Sequence, residues 1–373
     1  RPHLDADARC TPPPGDDWER VGQTWSRATT TYAESYTDVD GLRPLLLVGG
    51  GYDNCEDEDS GAGASPEINN SCSSTKGNLV YLLDARTGAV VNTFATDRAV
   101  PGQVTVVPIS DNSPLIMFAY VADMGGNIYR ISGDADPTDD TDNTPIAIGD
   151  EDPADWQITK IASLGCATTA ACDANRKFLF APDVVRIPNT NLLGVLIGSG
   201  DREKPLRDYS ATLEVPNYFF SIVDDPTNAS WLTSEASNCQ DEPLICFASL
   251  GEITLPGDLP DDPIESGVPT DKGFSLKLRD GEQVVTGSVT VDNDIKFSTH
   301  IPAVPGECGS DYGTATAFSV DYRDASGKAT QFLGGGLVPT PVAGKVLIDG
   351  VPVPFCIGCG GEGSAIGVEK VGG

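Results

Sequence analysis

The sequence predicts an all-β fold, a modified β-propeller with long disulfide-stapled loop insertions. Four observations lead there. The stretch at 77–88, Gly-Asn-Leu-Val-Tyr-Leu-Leu-Asp-Ala-Arg-Thr-Gly, reads as a strand buried on both faces followed by a tight turn. Degenerate copies of it recur at 126–133, 218–226 and 317–327, the mark of a repeat architecture. The chain of 373 residues also carries 41 glycines and 28 prolines and has no long helical period with cap signals. Finally, polar segments rich in Asp, Ser and Asn separate the hairpins, and loop-closure entropy rises so slowly with length that such insertions cost little.

Taken in order, residues 1–20 hold Cys10 and a Pro-Pro-Pro run and read as an N-terminal arm. A single propeller domain is expected over 21–373. Its first blade, 21–95, contains Pro44-Leu-Leu-Leu-Val48, a glycine bend at 49–51, an acidic insertion, and the hairpin at 77–88. The second, 101–165, runs through Ile116-Met-Phe-Ala-Tyr-Val-Ala-Asp123 to the hairpin at 126–133. The third, 176–232, holds Leu193-Gly-Val-Leu-Ile-Gly198 and the hairpin at 218–226. A polar insertion and a Pro/Asp-rich linker then lead to a fourth blade, 272–333, opening with Gly273-Phe-Ser-Leu-Lys-Leu278. Residues 334–373 form a closing segment, and pairing of N- and C-terminal strands is expected to close the ring.

With 55 acidic against 24 basic side chains the formal net charge is −31, so nucleic acid and anionic lipid surfaces are repelled. No apolar run reaches the length of a membrane-spanning helix. Ten cysteines stand against only two histidines, which favours disulfides over zinc and an oxidising, exported compartment. Sequence proximity suggests the pairs Cys55–Cys72, Cys166–Cys172, Cys239–Cys246 and Cys356–Cys359, with Cys10–Cys308 as a long-range closure. The connectivity stays open at this level. The start, Arg-Pro-His-Leu-Asp, lacks a hydrophobic signal core, and the chain is read as the C-terminal part of a longer exported protein.

Several motifs, in order, resemble the C-terminal domain of type IV pilus tip-associated adhesins, the PilY and PilC family. They are Gly22-Gln-Thr-Trp-Ser26, Gly49-Gly-Gly-Tyr-Asp53, Tyr120-Val-Ala-Asp-Met-Gly-Gly-Asn-Ile-Tyr129, Ala181-Pro-Asp-Val-Val185, Gly198-Ser-Gly-Asp-Arg-Glu203 and Lys272-Gly-Phe-Ser-Leu276. The resemblance spans about Gly22 to Val342. It implies a non-enzymatic propeller at the tip of type IV pili, extracellular or at the cell surface. The implied roles are pilus biogenesis, retraction control and adhesion, with pilin, minor pilins and a host or abiotic surface ligand as partners.

Family members that bind calcium carry an alternating Asp/Asn loop before the Tyr-x-x-Asp strand. The corresponding positions here are Ile109, Asp111, Ser113, Leu115 and Met117, so Asp111 is the only carboxylate and that site is degenerate. Calcium is instead assigned to Asp134, Asp136, Asp140 and Asp142, whose spacing echoes an alternating oxygen loop; Asp53, Asp57 and Asp59 are the alternative. A catalytic site is not expected. His300 lies in a strand context suited to a structural hydrogen bond, and Gly198-Ser199-Gly200 reads as a strand-ending turn rather than an oxyanion cradle. No nucleophile elbow, P-loop or zinc-protease motif is present. The rival class is a quinoprotein-dehydrogenase-like enzyme, whose blade repeats the 77–88 hairpin also resembles. Four tryptophans and no adjacent Cys-Cys pair argue against a bound quinone. A non-catalytic cell-envelope scaffold is the third reading.

Overall fold

A strand with apolar side chains on both faces needs a packing partner on each side, and the central sheets meet that need in series. The computed structural model describes residues 3–4, 10–11, 17–57, 74–133, 147–149, 151–166, 175–206, 213–228, 230–256, 263–303, 312–348, 351–359 and 368–370. Among them the chain is almost entirely β. The first sheet is built from Thr29–Thr31, Leu45–Gly49, Leu79–Asp84 and Val90–Ala95, and the second from Thr105–Pro108, Ile116–Ala122, Asn127–Ser132 and Gln157–Ser163. Both are antiparallel meanders in chain order.

Alternation along Ile116–Ala122 shows how the sheets stack. Phe118, Tyr120 and Ala122 cluster with Val195, Ile197, Phe220 and Ile222 of the third sheet, whereas Ala119 and Val121 cluster with Leu45, Leu47, Val80 and Leu82 of the first. The third sheet repeats this arrangement. Its Leu196, Phe219, Phe274 and Leu276 meet Ile295, Phe297, Phe318 and Val320 of the fourth, with Phe219 and Phe297 stacked at 4.0 Å between ring centroids. Each fully buried side chain of this size contributes roughly 1.5–3 kcal/mol by leaving water. The strand Leu79–Asp84 is apolar over its first five residues, and Leu79 to Leu82 are all buried.

The third sheet corrects one expectation. Gly273–Lys277, taken as the opening of the fourth blade, pairs antiparallel with Tyr218–Asp224 and carries Gly251–Thr254 on its far side in parallel. After Asp224 the chain enters a turn and the short helix Ser230–Thr233 instead of returning along the sheet, so the insertion lies within this blade, not between blades. Phe274 and Leu276 pack beside Phe219, which holds the returning strand on this sheet. The fourth sheet comprises Gln283–Val284, Asp294–Ile301, Thr314–Asp321 and Gly327–Gln331, with Val289–Val291 also paired to Asp294–Ile301. Val342–Ile348, Val351–Ile357 and Val368–Lys370 form a sheet of their own, and no sheet among the described residues mixes strands from the two chain ends.

Polar groups tie the sheets where apolar contact ends. Between the second and third sheets, Arg130 Nη1 donates to both oxygens of Asp224 at 2.7 Å and the Tyr120 hydroxyl donates to Asp224 Oδ2 at 2.6 Å. The Asp224 side chain is fully buried. At the turn of the 77–88 hairpin, Asp84 accepts hydrogen bonds from the Tyr36 hydroxyl, the Thr87 amide and the Thr87 hydroxyl, and pairs with Arg43. Burial pushes its carboxyl up, but these donors outweigh it and hold the pKa at about 2.

The local disulfides Cys239–Cys246 and Cys356–Cys359 are formed. Cys55 and Cys166 are also disulfide-bonded, while their expected partners Cys72 and Cys172, and Cys308, lie outside the described residues. No helix among the described residues is long and apolar enough to cross a membrane.

Candidate functional site

Short irregular segments, each preceding a strand of a different sheet, converge. Trp25 to Arg27 lead into the first sheet, Pro101 to Gln103 into the second, Leu179 to Pro182 into the third, Gly287 and Ser288 into Val289–Val291, and Thr340 into the C-terminal sheet. Together with Arg202 and Glu203 they line a cavity of about 530 Å³. This is the axial opening expected where blades are repeated about a centre.

Side-chain hydrogen bonds stitch each inner segment to the next. Thr29 Oγ1 donates to the Val104 carbonyl at 2.6 Å, and Thr105 Oγ1 to the Pro182 carbonyl at 2.6 Å. Thr290 Oγ1 then donates to Asp183 Oδ2 at 2.7 Å, and the Gly287 amide to Thr340 Oγ1 at 3.3 Å. The segments run close enough that a Cβ on Gly102 would sit 2.9 Å from the Phe180 carbonyl carbon, so only glycine fits there without displacing backbone.

Electrostatics are concentrated on one wall. Asp201 accepts a hydrogen bond from Lys177 Nζ at 2.7 Å, lies 3.5 Å from Lys204 Nζ, and its amide donates to Gln283 Oε1 at 2.6 Å. Burial raises its pKa, but the two ammonium groups outweigh that and bring it below the usual carboxylate range. Asp201 Oδ1 nevertheless has no donor directed at it, and the neighbouring group is the Glu203 carboxyl. Protein crowding and then the Asp201 charge raise the pKa of Glu203. Its side chain stays open to water in the cavity. On the opposite wall burial raises Asp183, and the Thr290 hydroxyl offsets only part of the rise.

The indole of Trp25 stacks on Tyr52 with centroids 5.1 Å apart, while 61% of the residue's surface remains exposed.

The sequence-predicted sites divide clearly. Asp134, Asp136, Asp140 and Asp142, the calcium candidates, lie outside the described residues, as does Asp59. Asp53 is buried and its Oδ1 caps the Cys55 amide at 3.1 Å. Asp111 sits exposed in the turn between Thr105–Pro108 and Ile116–Ala122. Among the described residues no group of three or more His, Cys, Asp or Glu side chains is arranged to hold a metal ion. His300 Nε2 is hydrogen-bonded to the Tyr312 carbonyl at 2.8 Å, a structural tie. The Ser199 and Gly200 amides donate to the Tyr218 and Lys177 carbonyls, so neither is free to cradle an oxyanion.

The cavity residues Trp25, Arg27, Arg202 and Glu203 were not singled out by sequence reasoning as a site. Trp25 and Glu203 fall in motifs quoted for the family resemblance, Gly22-Gln-Thr-Trp-Ser26 and Gly198-Ser-Gly-Asp-Arg-Glu203, but nothing in a linear reading places those two stretches on one cavity.

No family model matches the chain, and no curated protein matches it in sequence. Solved structures do match. The C-terminal domain of Pseudomonas aeruginosa PilY1 aligns with a TM-score of 0.57 at 14% identity, covering 95% of this chain and 74% of that one. A europium-containing methanol dehydrogenase reaches a TM-score of 0.36 at 13% identity, covering 75% of this chain and 43% of that one. A quinohemoprotein alcohol dehydrogenase from Pseudomonas putida HK5 reaches 0.38 at 14% identity, covering 93% and 42%. Scores that low carry no argument about these enzymes. The likeness to PilY1 is one of fold: this chain is a PilY1-like β-propeller.

Proposed function

We propose that this chain is the C-terminal propeller of a type IV pilus tip-associated protein, exported through an oxidising compartment and acting without catalysis. Its roles are pilus biogenesis, control of retraction and surface attachment, and its partners are pilin and minor pilins. The observation that carries this reading is the fold-level likeness to the PilY1 C-terminal domain over 95% of the chain. The ordered motifs from Gly22 to Lys272 support it, and so do the two disulfides formed among the described residues.

The test is an in-frame deletion of this domain with expression of the rest of the protein verified. Surface piliation, twitching and attachment should all fall. Normal values for all three would favour a scaffold role instead. Dye-linked alcohol oxidation by the purified chain after addition of quinone and calcium would establish the dehydrogenase reading in its place.

A further inference from the structure

The chain has more than twice as many acidic as basic side chains, 55 against 24, and several of its described arginines are paired with carboxylates. Arg43 pairs with Asp84, Arg98 with Glu56, Arg130 with Asp224, Arg279 with Glu282 and Arg323 with Asp321. Arg27 and Arg202 are different. Both line the axial cavity, and neither has an ion-pair or hydrogen-bond partner among the described residues. Two guanidinium groups without ion-pair partners on one cavity leave their donor forks open to an anionic group.

The rest of the wall narrows the choice. The two acids that line the cavity, Asp183 and Glu203, form no ion pair with either arginine among the described residues, and Asp183 accepts the Thr290 hydroxyl. Trp25 offers an open indole surface backed by Tyr52. Ser26 also lines the cavity, and its Oγ is buried with no hydrogen-bond partner among the described residues. The remaining polar side chains of the lining are hydroxyls and an amide, from Gln103, Thr105, Ser288 and Thr340. At about 530 Å³ the space lies within the range of about 300–1,000 Å³ usual for small-molecule sites.

We propose that the axial cavity binds a carboxylate-bearing sugar, a uronate, either free or as the terminal unit of an acidic polysaccharide. Arg27 and Arg202 hold its carboxylate, because a guanidinium fork matches that group in two-point hydrogen bonds. Trp25 carries the apolar face of the ring, and the Ser26 hydroxyl and its polar neighbours receive the ring hydroxyls. Such a site stands whether or not the domain serves a pilus.

The test is titration of the full chain with galacturonate, oligogalacturonate, galactose, benzoate and inorganic phosphate, followed by tryptophan fluorescence and calorimetry. Galacturonate should bind saturably with a fluorescence change, and galactose at least tenfold more weakly. Preference for the oligomer over the monomer would identify a polysaccharide end as the source, and equal affinity a free sugar acid. Arg27→Ala and Arg202→Ala should each weaken galacturonate at least tenfold with unchanged melting temperature, and Trp25→Ala should remove the fluorescence change. Because Arg27 and Trp25 are exposed, their variants should fold. Absence of saturable galacturonate binding, equal binding of galactose, binding of benzoate or phosphate as tight as galacturonate, or arginine variants that bind like the parent would each overturn the proposal.

Discussion

Replacing Asp224 with alanine removes the carboxylate that joins the second and third sheets and leaves the Arg130 guanidinium without a counter-charge. The side chains of Asp224 and Arg130 are 0% and 7% exposed, so water cannot take over. Breaking a buried pair by removing one member costs about 3–5 kcal/mol, because the remaining charge is left desolvated. The Tyr120 hydroxyl, also buried, loses its acceptor at the same stroke. The assay is equilibrium urea denaturation of parent and variant with disulfides intact, comparing midpoints at matched slopes. A second variant separates charge from shape: Asp224→Leu combined with Arg130→Met and Tyr120→Phe replaces the whole network by apolar groups and should recover most of the loss. A loss below about 1 kcal/mol for Asp224→Ala would show that solvent reaches the triad and refute the reasoning.

Three further outcomes follow from the same structure. With Asp84 held at a pKa of about 2, below its unfolded value near 3.9, its contribution of about 2 kcal/mol is present above pH 4 and lost as pH falls through about 2; the stability gap between parent and Asp84→Asn should therefore shrink between pH 5 and pH 2, and a constant gap would contradict it. Reduction should destabilise the domain: opening the Cys239–Cys246 loop alone is worth about 2–3 kcal/mol by chain entropy, and mass mapping of unreduced protein should find most of the ten cysteines paired, whereas mostly free thiols would overturn the exported reading. We also propose that Asp134, Asp136, Asp140 and Asp142 bind calcium, raising the melting temperature more than magnesium does; the double variant Asp134→Asn, Asp136→Asn should abolish this, and calorimetry without saturable calcium binding would reduce the loop to a solvated acidic surface.

Much of the fold was legible because its physics is local. The hairpins at 77–88, 126–133, 218–226 and 317–327 announce themselves through apolar strands and turn residues, and each contributes a pair-forming strand to a sheet. Gly273–Lys277 was misplaced because its signal is just as strong in either blade. The deciding contact, Phe274 and Leu276 beside Phe219, spans an insertion of more than forty residues that no periodicity bridges. The cavity was illegible for a related reason. Its wall is made from short polar segments far apart in sequence, and Arg27 and Arg202 look like ordinary surface charges until the sheets bring them to one axis. Burial of Asp201 between two lysines is equally invisible in the run Gly-Asp-Arg-Glu-Lys, where alternating charge suggests a solvated turn.

The central claim, a propeller belonging to a pilus tip, is tested most directly by where the chain sits. Antibodies raised against the folded domain, applied to sheared pili and viewed by immunogold electron microscopy, should label filament ends. Label along the shafts, or confined to the cell envelope with the filament ends bare in a strain that expresses the protein, would contradict it.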